Sequence, residues 1–183
     1  MNMAGIRIRP FLPGDDGALY EAARESIDDV GPWLEWCHPA YTIEESRAWI
    51  DHCTAARVAG DEFNFAIVND EGMMLGGCGL NRLHRAHRVA NLGYWVRSSA
   101  TGHGVATTAV CQLVEFAFSQ TNMNRLEIVA STRNAGSQRV AERAGACREV
   151  IARERLVVHA EAHDAVQFSF VRSDFRAHVE HGK

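Results

Sequence analysis

The segment that most restricts this chain runs Trp95-Val96-Arg97-Ser98-Ser99-Ala100-Thr101-Gly102-His103-Gly104-Val105-Ala106-Thr107-Thr108, where strand-like residues give way to a loop with two glycines. After it, Ala106, Ala109, Val110, Leu113, Val114 and Ala117 recur at three- and four-residue steps, which predicts an amphipathic helix from about Gly104 to Phe118. A strand, a glycine loop and a helix N-terminus in that order aim unpaired backbone N–H groups and the positive end of the helix dipole at one point. Glycines let the backbone approach an anion with no Cβ in the way. The junction is therefore either an ordinary strand-to-helix turn or a cradle for a pyrophosphate. A Walker-type loop is excluded, because no Lys-Ser/Thr follows Gly104. A dinucleotide fingerprint fits poorly: Thr107 stands where its third glycine belongs, and three strands are predicted upstream. A nucleotide-binding oxidoreductase is accordingly the weakest of the enzyme readings.

The other segments follow from their periods. Ile6 to Arg9 reads as a short strand, and Asp15 or Asp16 as the cap of a helix carrying Leu19, Ala22 and Ala23 inward, a region ended by Gly31-Pro32. Thr42-Ile43-Glu44-Glu45 has capping-box spacing and predicts a helix bearing Trp49, Ile50 and Cys53. Phe63–Val68 and Met74–Leu80 read as a hairpin around the turn residues Asn69 to Gly72, followed by a polar connection from Asn81 to Arg88 and a strand from Ala90 to Val96. Leu126, Ile128 and Ala130 alternate as in a strand, a short helix spans Gly136 to Ala144 and closes on Gly145, and two last strands fall near Arg148–Val158 and Ala165–Val171. The order β-α-α-β-β-β-α-β-α-β-β predicts a mixed sheet with helices on its faces.

Composition narrows the class. In 183 residues, 46% hydrophobic and 23% charged, there is enough apolar surface for one buried core, and no repeat or linker divides the chain. Nineteen basic and 23 acidic residues are interspersed, for a net charge of -4. That excludes a basic stripe for nucleic acid and favours a cationic partner. The cysteines Cys37, Cys53, Cys78, Cys111 and Cys147 are odd in number with no C-x-x-C pair, which predicts reduced thiols packed in the core, Cys111 among them. Met1 to Gly5 lead into the first strand with no apolar signal segment, and no run of 18 apolar residues follows, so a cytoplasmic protein without a membrane span is expected. His84-Arg85-Ala86-His87-Arg88 reads as a solvated loop, and no metal is expected.

Gly93-Tyr94-Trp95-Val96 with Gly102-His103-Gly104-Val105-Ala106-Thr107 resembles motif A of the GNAT acetyltransferases, in the form of the RimJ/RimL-type ribosomal-protein N-acetyltransferases. Arg133-Asn134-Ala135-Gly136-Ser137-Gln138-Arg139-Val140-Ala141-Glu142-Arg143-Ala144-Gly145 resembles that family's N-x-x-S-x-x-V-A-x-x-x-G helix. Gly76 to Leu80 is similar to its third strand, and Trp33-Leu34-Glu35-Trp36 to the acceptor-side loop of the RimL group. Two positions depart from the pattern: Thr101 stands where the family has Arg or Gln, and Ala146 where it has Phe.

The resemblance implies a single α/β domain over residues 1–183 with the GNAT fold, a central mixed, mostly antiparallel twisted sheet of about seven strands flanked by about four helices. It implies transfer from acetyl-CoA directly to a primary amine, a protein N-terminus or a small amine such as an antibiotic or toxin, without an acetyl-enzyme. A catalytically silent acyl-CoA-binding or sensor module of the same fold is the alternative, and the assembly is expected to be a monomer or homodimer. Acetyl-CoA would lie against Tyr94, Trp95, Val96, Thr101, Gly102, His103, Gly104, Val105, Ala106, Thr107, Asn134 and Ser137. A backbone N–H on the splayed strand Gly93–Val96 would receive the carbonyl oxygen, as the family's β-bulge does. Ser137 would protonate the leaving thiolate, unless Asn134 merely caps its helix and Ser137 is a first-turn residue. Glu127 or Glu154 would take the amine proton, unless each is a solvated or ion-paired surface acid. Trp33, Glu35, Trp36, His38 and Tyr94, with Tyr41, would wall the acceptor pocket, or else pack as core and lid.

Overall fold

The computed structural model describes residues 5–175; the N-terminal expectation for Met1 to Ala4 lies outside them. The strands are β1 (Arg7–Pro10), β2 (Phe63–Val68), β3 (Met74–His84), β4 (Val89–Val96), β5 (Arg125–Ser131), β6 (Cys147–Val158) and β7 (Glu161–Val171). The helices are α1 (Asp16–Glu25), α2 (Ile27–Val30), α3 (Ile43–Ala59), α4 (Val105–Gln120) and α5 (Ala135–Arg143). One seven-stranded sheet has the order β1-β2-β3-β4-β5-β7-β6. Every neighbouring pair is antiparallel except β4 and β5, so the sheet is mixed and mostly antiparallel as expected.

Alternation along the strands assigns the two faces. Phe65 and Ile67 of β2, Ala90 and Leu92 of β4, and Leu126 and Ile128 of β5 join a core closed by Val105, Ala109, Val110, Leu113, Val114, Ala117 and Phe118 of α4. Each fully buried Val, Leu or Phe contributes about 1.5–3 kcal/mol, so α4 is held by its apolar stripe far more than by intrinsic propensity. The Arg172 guanidinium donates to the carbonyls of Phe118, Thr121 and Met123, satisfying groups at the C-terminal end of α4. On the opposite face Ala66 and Val68 meet Phe11, Leu19, Ile50, Cys53 and Met74, with Trp95 packed against them.

The capping box is present: the Glu45 N–H donates to Thr42 Oγ1 and the Thr42 N–H to Glu45 Oε2. The helix bears Trp49, Ile50 and Cys53 as expected, with Trp49 exposed off the buried Ile50–Cys53 face of α3. Three expectations need correction. Asp15 does not cap α1 with its side chain, because its carboxylate accepts from Arg9 and from the Leu12 N–H. Cys111 is exposed on α4, one position past the buried Val110, and Cys147 is exposed too; all five cysteines are free. The supposed polar connection after Leu80 is strand as far as His84, since β3 continues alongside β4 through Asn81.

Candidate active site

The parallel seam between β4 and β5 is short. Only Val89–Arg125, Ala90–Leu126 and Asn91–Glu127 are paired; beyond Asn91 the strands part. From Leu92 to Val96, β4 pairs only with β3, and from Ile128 to Ser131, β5 pairs only with β7. The result is a wedge with Asn91 and Glu127 at its apex and one edge of β4 without a β5 partner. Backbone groups along such an edge require another partner, which makes them available donors and acceptors. The expected splay of Gly93–Val96 is present as this divergence from β5, while towards β3 those residues keep regular register with Gly76–Gly79 and the bulge falls on β3 between Asn81 and His84.

At the open end of the wedge lies the glycine loop. Gly102 and Gly104 both have φ of 78°, left-handed values that most side chains resist. Gly104 is the N-cap of α4 and supplies no side-chain cap, leaving the first-turn N–H groups without a capping acceptor. Thr101 to Gly104 are exposed, Val105 and Ala106 are buried beneath them, and Thr107 is half-buried. The Thr101 hydroxyl donates to the Ser98 carbonyl at 2.8 Å, and His103 Nδ1 lies 2.7 Å from the Thr101 carbonyl oxygen. Both contacts brace the loop from within.

The loop is also clamped to α1 and α2 by residues without a local sequence signal. Glu25 accepts from the Arg97 guanidinium and from the Ser99 N–H at 2.8 Å, the Ser26 hydroxyl accepts from the Ser98 N–H at 3.1 Å, and the Ser98 hydroxyl bonds Asp29. The Arg97 guanidinium holds the Glu25 carboxyl down from 4.5 to about 2. A depressed carboxylate contributes stability that is complete above its ordinary value and is lost as pH falls through the folded value. Glu25→Gln is therefore expected to lower the melting temperature at neutral pH, with the deficit shrinking as pH falls from 4.5 towards about 2. Melting curves of both proteins across that range check it.

Tyr94 reaches across the wedge. Packed against the α4 core, it donates to the Ser137 carbonyl at 2.8 Å and lies 3.1 Å from Ser137 Oγ. With its one proton on the carbonyl, the Ser137 hydroxyl is the donor in the second contact. Burial pushes the Tyr94 phenol up to about 12, so it keeps its proton at neutral pH. Asn134 caps α5, its Oδ1 accepting from the Ser137 N–H at 2.9 Å. That leaves the Ser137 hydroxyl, and not the Asn134 amide oxygen, turned towards Tyr94.

Glu127 at the apex accepts from Arg125 Nε at 2.7 Å and from Gln167 Nε2 at 3.2 Å. With Val89, Asn91 and Val129 it lines an open groove of about 300 Å³. Glu154 is exposed on β6, outside that lining, with its N–H bonded to Asp164. The expected aromatic wall is rearranged: Trp36 meets Trp95 at 5.2 Å and Tyr41 at 5.7 Å, whereas Tyr94, one residue along β4, belongs to the core of the other face. Trp33 is half-buried. Glu35 accepts from the His159 N–H at 2.9 Å, fastening the β6–β7 turn, and His38 pairs with Glu45 at 3.1 Å. Glu25 and Arg97 are the site residues sequence reasoning passed over; Trp95, expected against acetyl-CoA, also packs on Trp36, for which the alternation of β4 against Tyr94 was a usable signal. Among the described residues no helix is long and apolar enough to cross a membrane.

This geometry has counterparts. The family model described as the acetyltransferase (GNAT) domain matches residues 6–146. The candidate ribosomal N-acetyltransferase YdaF of Bacillus subtilis (strain 168) is 29% identical over 170 residues, 93% of each chain. The solved structure of RimL, a ribosomal L7/L12 alpha-N-protein acetyltransferase in complex with coenzyme A, superposes with a TM-score of 0.84 at 18% identity, covering 91% of this chain and 94% of that one. The microcin C7 self-immunity acetyltransferase MccE, in complex with acetyl-CoA and AMP, gives a TM-score of 0.81 at 18% identity over 93% and 97%.

Proposed function

Because the chain belongs to the GNAT acetyltransferase family and is an N-acetyltransferase, we propose that it moves acetyl from acetyl-CoA directly to a primary amine in the β4–β5 wedge. The observation that carries this reading is the wedge itself, bounded by the Gly102–Gly104 loop at its open end and bridged by Tyr94 and Ser137. The N–H groups from Gly102 to Thr107 would hold the pyrophosphate. Tyr94, Trp95 and Val96 would present the free edge of β4 to the pantetheine arm, and a backbone N–H of Gly93–Val96 would receive the carbonyl oxygen.

In the reaction the amine nitrogen bonds to the thioester carbonyl carbon, the C–S bond breaks, and the sulfur leaves with a proton from the Ser137–Tyr94 pair. The proton lost by the amine passes to Glu127, directly or through water; its place at the apex favours it over the exposed Glu154. Trp36 and Trp95 would wall the acceptor side. The acceptor is a protein N-terminus or a small amine, and the five free cysteines support a cytoplasmic setting.

Incubating the purified chain with acetyl-CoA and a panel of peptides with free N-termini, polyamines and aminoglycosides is expected to release free thiol in step with an N-acetylated product. Acetyl-CoA binding with no thiol release from any amine would instead select a silent acyl-CoA-binding module.

A further inference from the structure

The groove at the wedge apex holds two guanidiniums that its catalytic reading does not require. Besides the residues of the seam it is lined by Arg82, His84, His87 and Arg155. Glu127, its carboxylate, is already paired with Arg125. Arg82 and Arg155 form no ion pair among the described residues, although each is exposed.

Both arginines arrive there by the same backbone device. The β3–β4 register slips between Asn81 and His84, so that Arg82 and Leu83 oppose Ala90 alone, and Arg82 has φ of 49°. The β6–β7 register slips between Ala152 and Leu156, so that Arg153, Glu154 and Arg155 oppose Asp164 alone, and Glu154 has φ of 48°. A bulge re-aims the side chains of its strand, and a non-glycine residue in the left-handed region costs about 1–3 kcal/mol that the surroundings must offset. Two such bulges, on strands from opposite halves of the sheet, each deliver an arginine to one groove. The net charge of -4 makes this cationic patch a local exception to the field of the molecule.

We propose that Arg82 and Arg155 bind an anionic group, carboxylate or phosphate, carried by the acceptor beside its reacting amine. The inference rests on the transferase reading and adds a local anion site to the expectation that overall charge favours a cationic partner: the amine goes to the Glu127 apex and the anion to the two guanidiniums. The preferred acceptor is thus a peptide N-terminus followed by acidic residues, or a small amine bearing a carboxylate or phosphate.

The test measures equilibrium binding to the CoA-saturated protein, alongside thiol release with acetyl-CoA. Peptides with a free N-terminus are followed by two acidic, two neutral or two basic residues, and phosphoethanolamine is the small-molecule probe. The wild type is expected to bind the acidic peptide about tenfold more tightly than the neutral one, an advantage that shrinks as salt rises. Arg82→Gln and Arg155→Gln should each remove about threefold of it and the double variant all of it, with acetyl-CoA affinity unchanged. Equal binding of acidic and neutral peptides, or an advantage kept by the double variant, overturns the proposal. Selective binding of phosphoethanolamine over the peptides upholds it and assigns the anion to a small molecule. An arginine-dependent preference with no thiol release upholds anion recognition and overturns the transfer reading alone.

Discussion

Gly104→Val is expected to raise the KM for acetyl-CoA by about 10- to 100-fold. The residue sits at φ of 78° as the N-cap of α4, and an added Cβ meets no protein atom within 4 Å, so the obstacle is not a clash within the fold. It is conformational: a β-branched residue in the left-handed region carries about 1–3 kcal/mol of strain, roughly one to two decades in a binding constant. Either the loop relaxes and turns its N–H groups away, or it holds and places two methyl groups over the path to them. Gly104→Ala should cost less, having one methyl and no branching. Steady-state kinetics at saturating acceptor separate the effects: KM rises while kcat, set at the wedge apex, changes little. An unchanged KM in the valine variant would remove this loop from the donor site.

Removing the Ser137–Tyr94 pair should produce the opposite pattern. Ser137→Ala and Tyr94→Phe are each expected to lower kcat, by about 10²–10⁴-fold at most, with acetyl-CoA binding nearly intact. The two hydroxyls lie 3.1 Å apart in one hydrogen bond, so either single variant disables the pair and the double variant should be little worse than the poorer single one. Because burial pushes the tyrosine up to about 12, no loss of the acid form is expected between pH 6 and pH 10. Single-turnover rates of the three variants, with the pH profile of the wild type, test this. Full activity in both singles would return Ser137 to the first turn of α5 and Tyr94 to the core.

Much of this was legible because it rests on local rules. The glycine spacing, the capping box at Thr42 and the alternation of Leu126, Ile128 and Ala130 each concern a few adjacent residues, and each element formed where the pattern placed it. Tertiary contact decided what local rules could not. The Glu25–Arg97 clamp joins residues 72 apart. Trp36 meets Trp95, besides Tyr41, in place of Tyr94 because neighbouring residues on β4 face opposite ways. The bulges at Arg82 and Glu154 use no glycine, so nothing in the composition marks them. Asn134 and Ser137 were readable as a cap and its first turn, but the phenol that meets Ser137 comes from a strand 43 positions earlier.

The three-pair seam makes the molecule two plates stitched at one end. β1 to β4 are antiparallel neighbours in chain order from β2 on, whereas β5 reaches β7 only past α5 and β6, so the first plate can zip by short-range closure while the second waits on longer loops. The amides of β4 beyond Asn91 have no interstrand partner in the second plate, and that margin is where native-state breathing should concentrate. A ligand lying in the wedge would act as a missing strand, binding the plates to each other and coupling occupancy to the resistance of the whole sheet to unfolding.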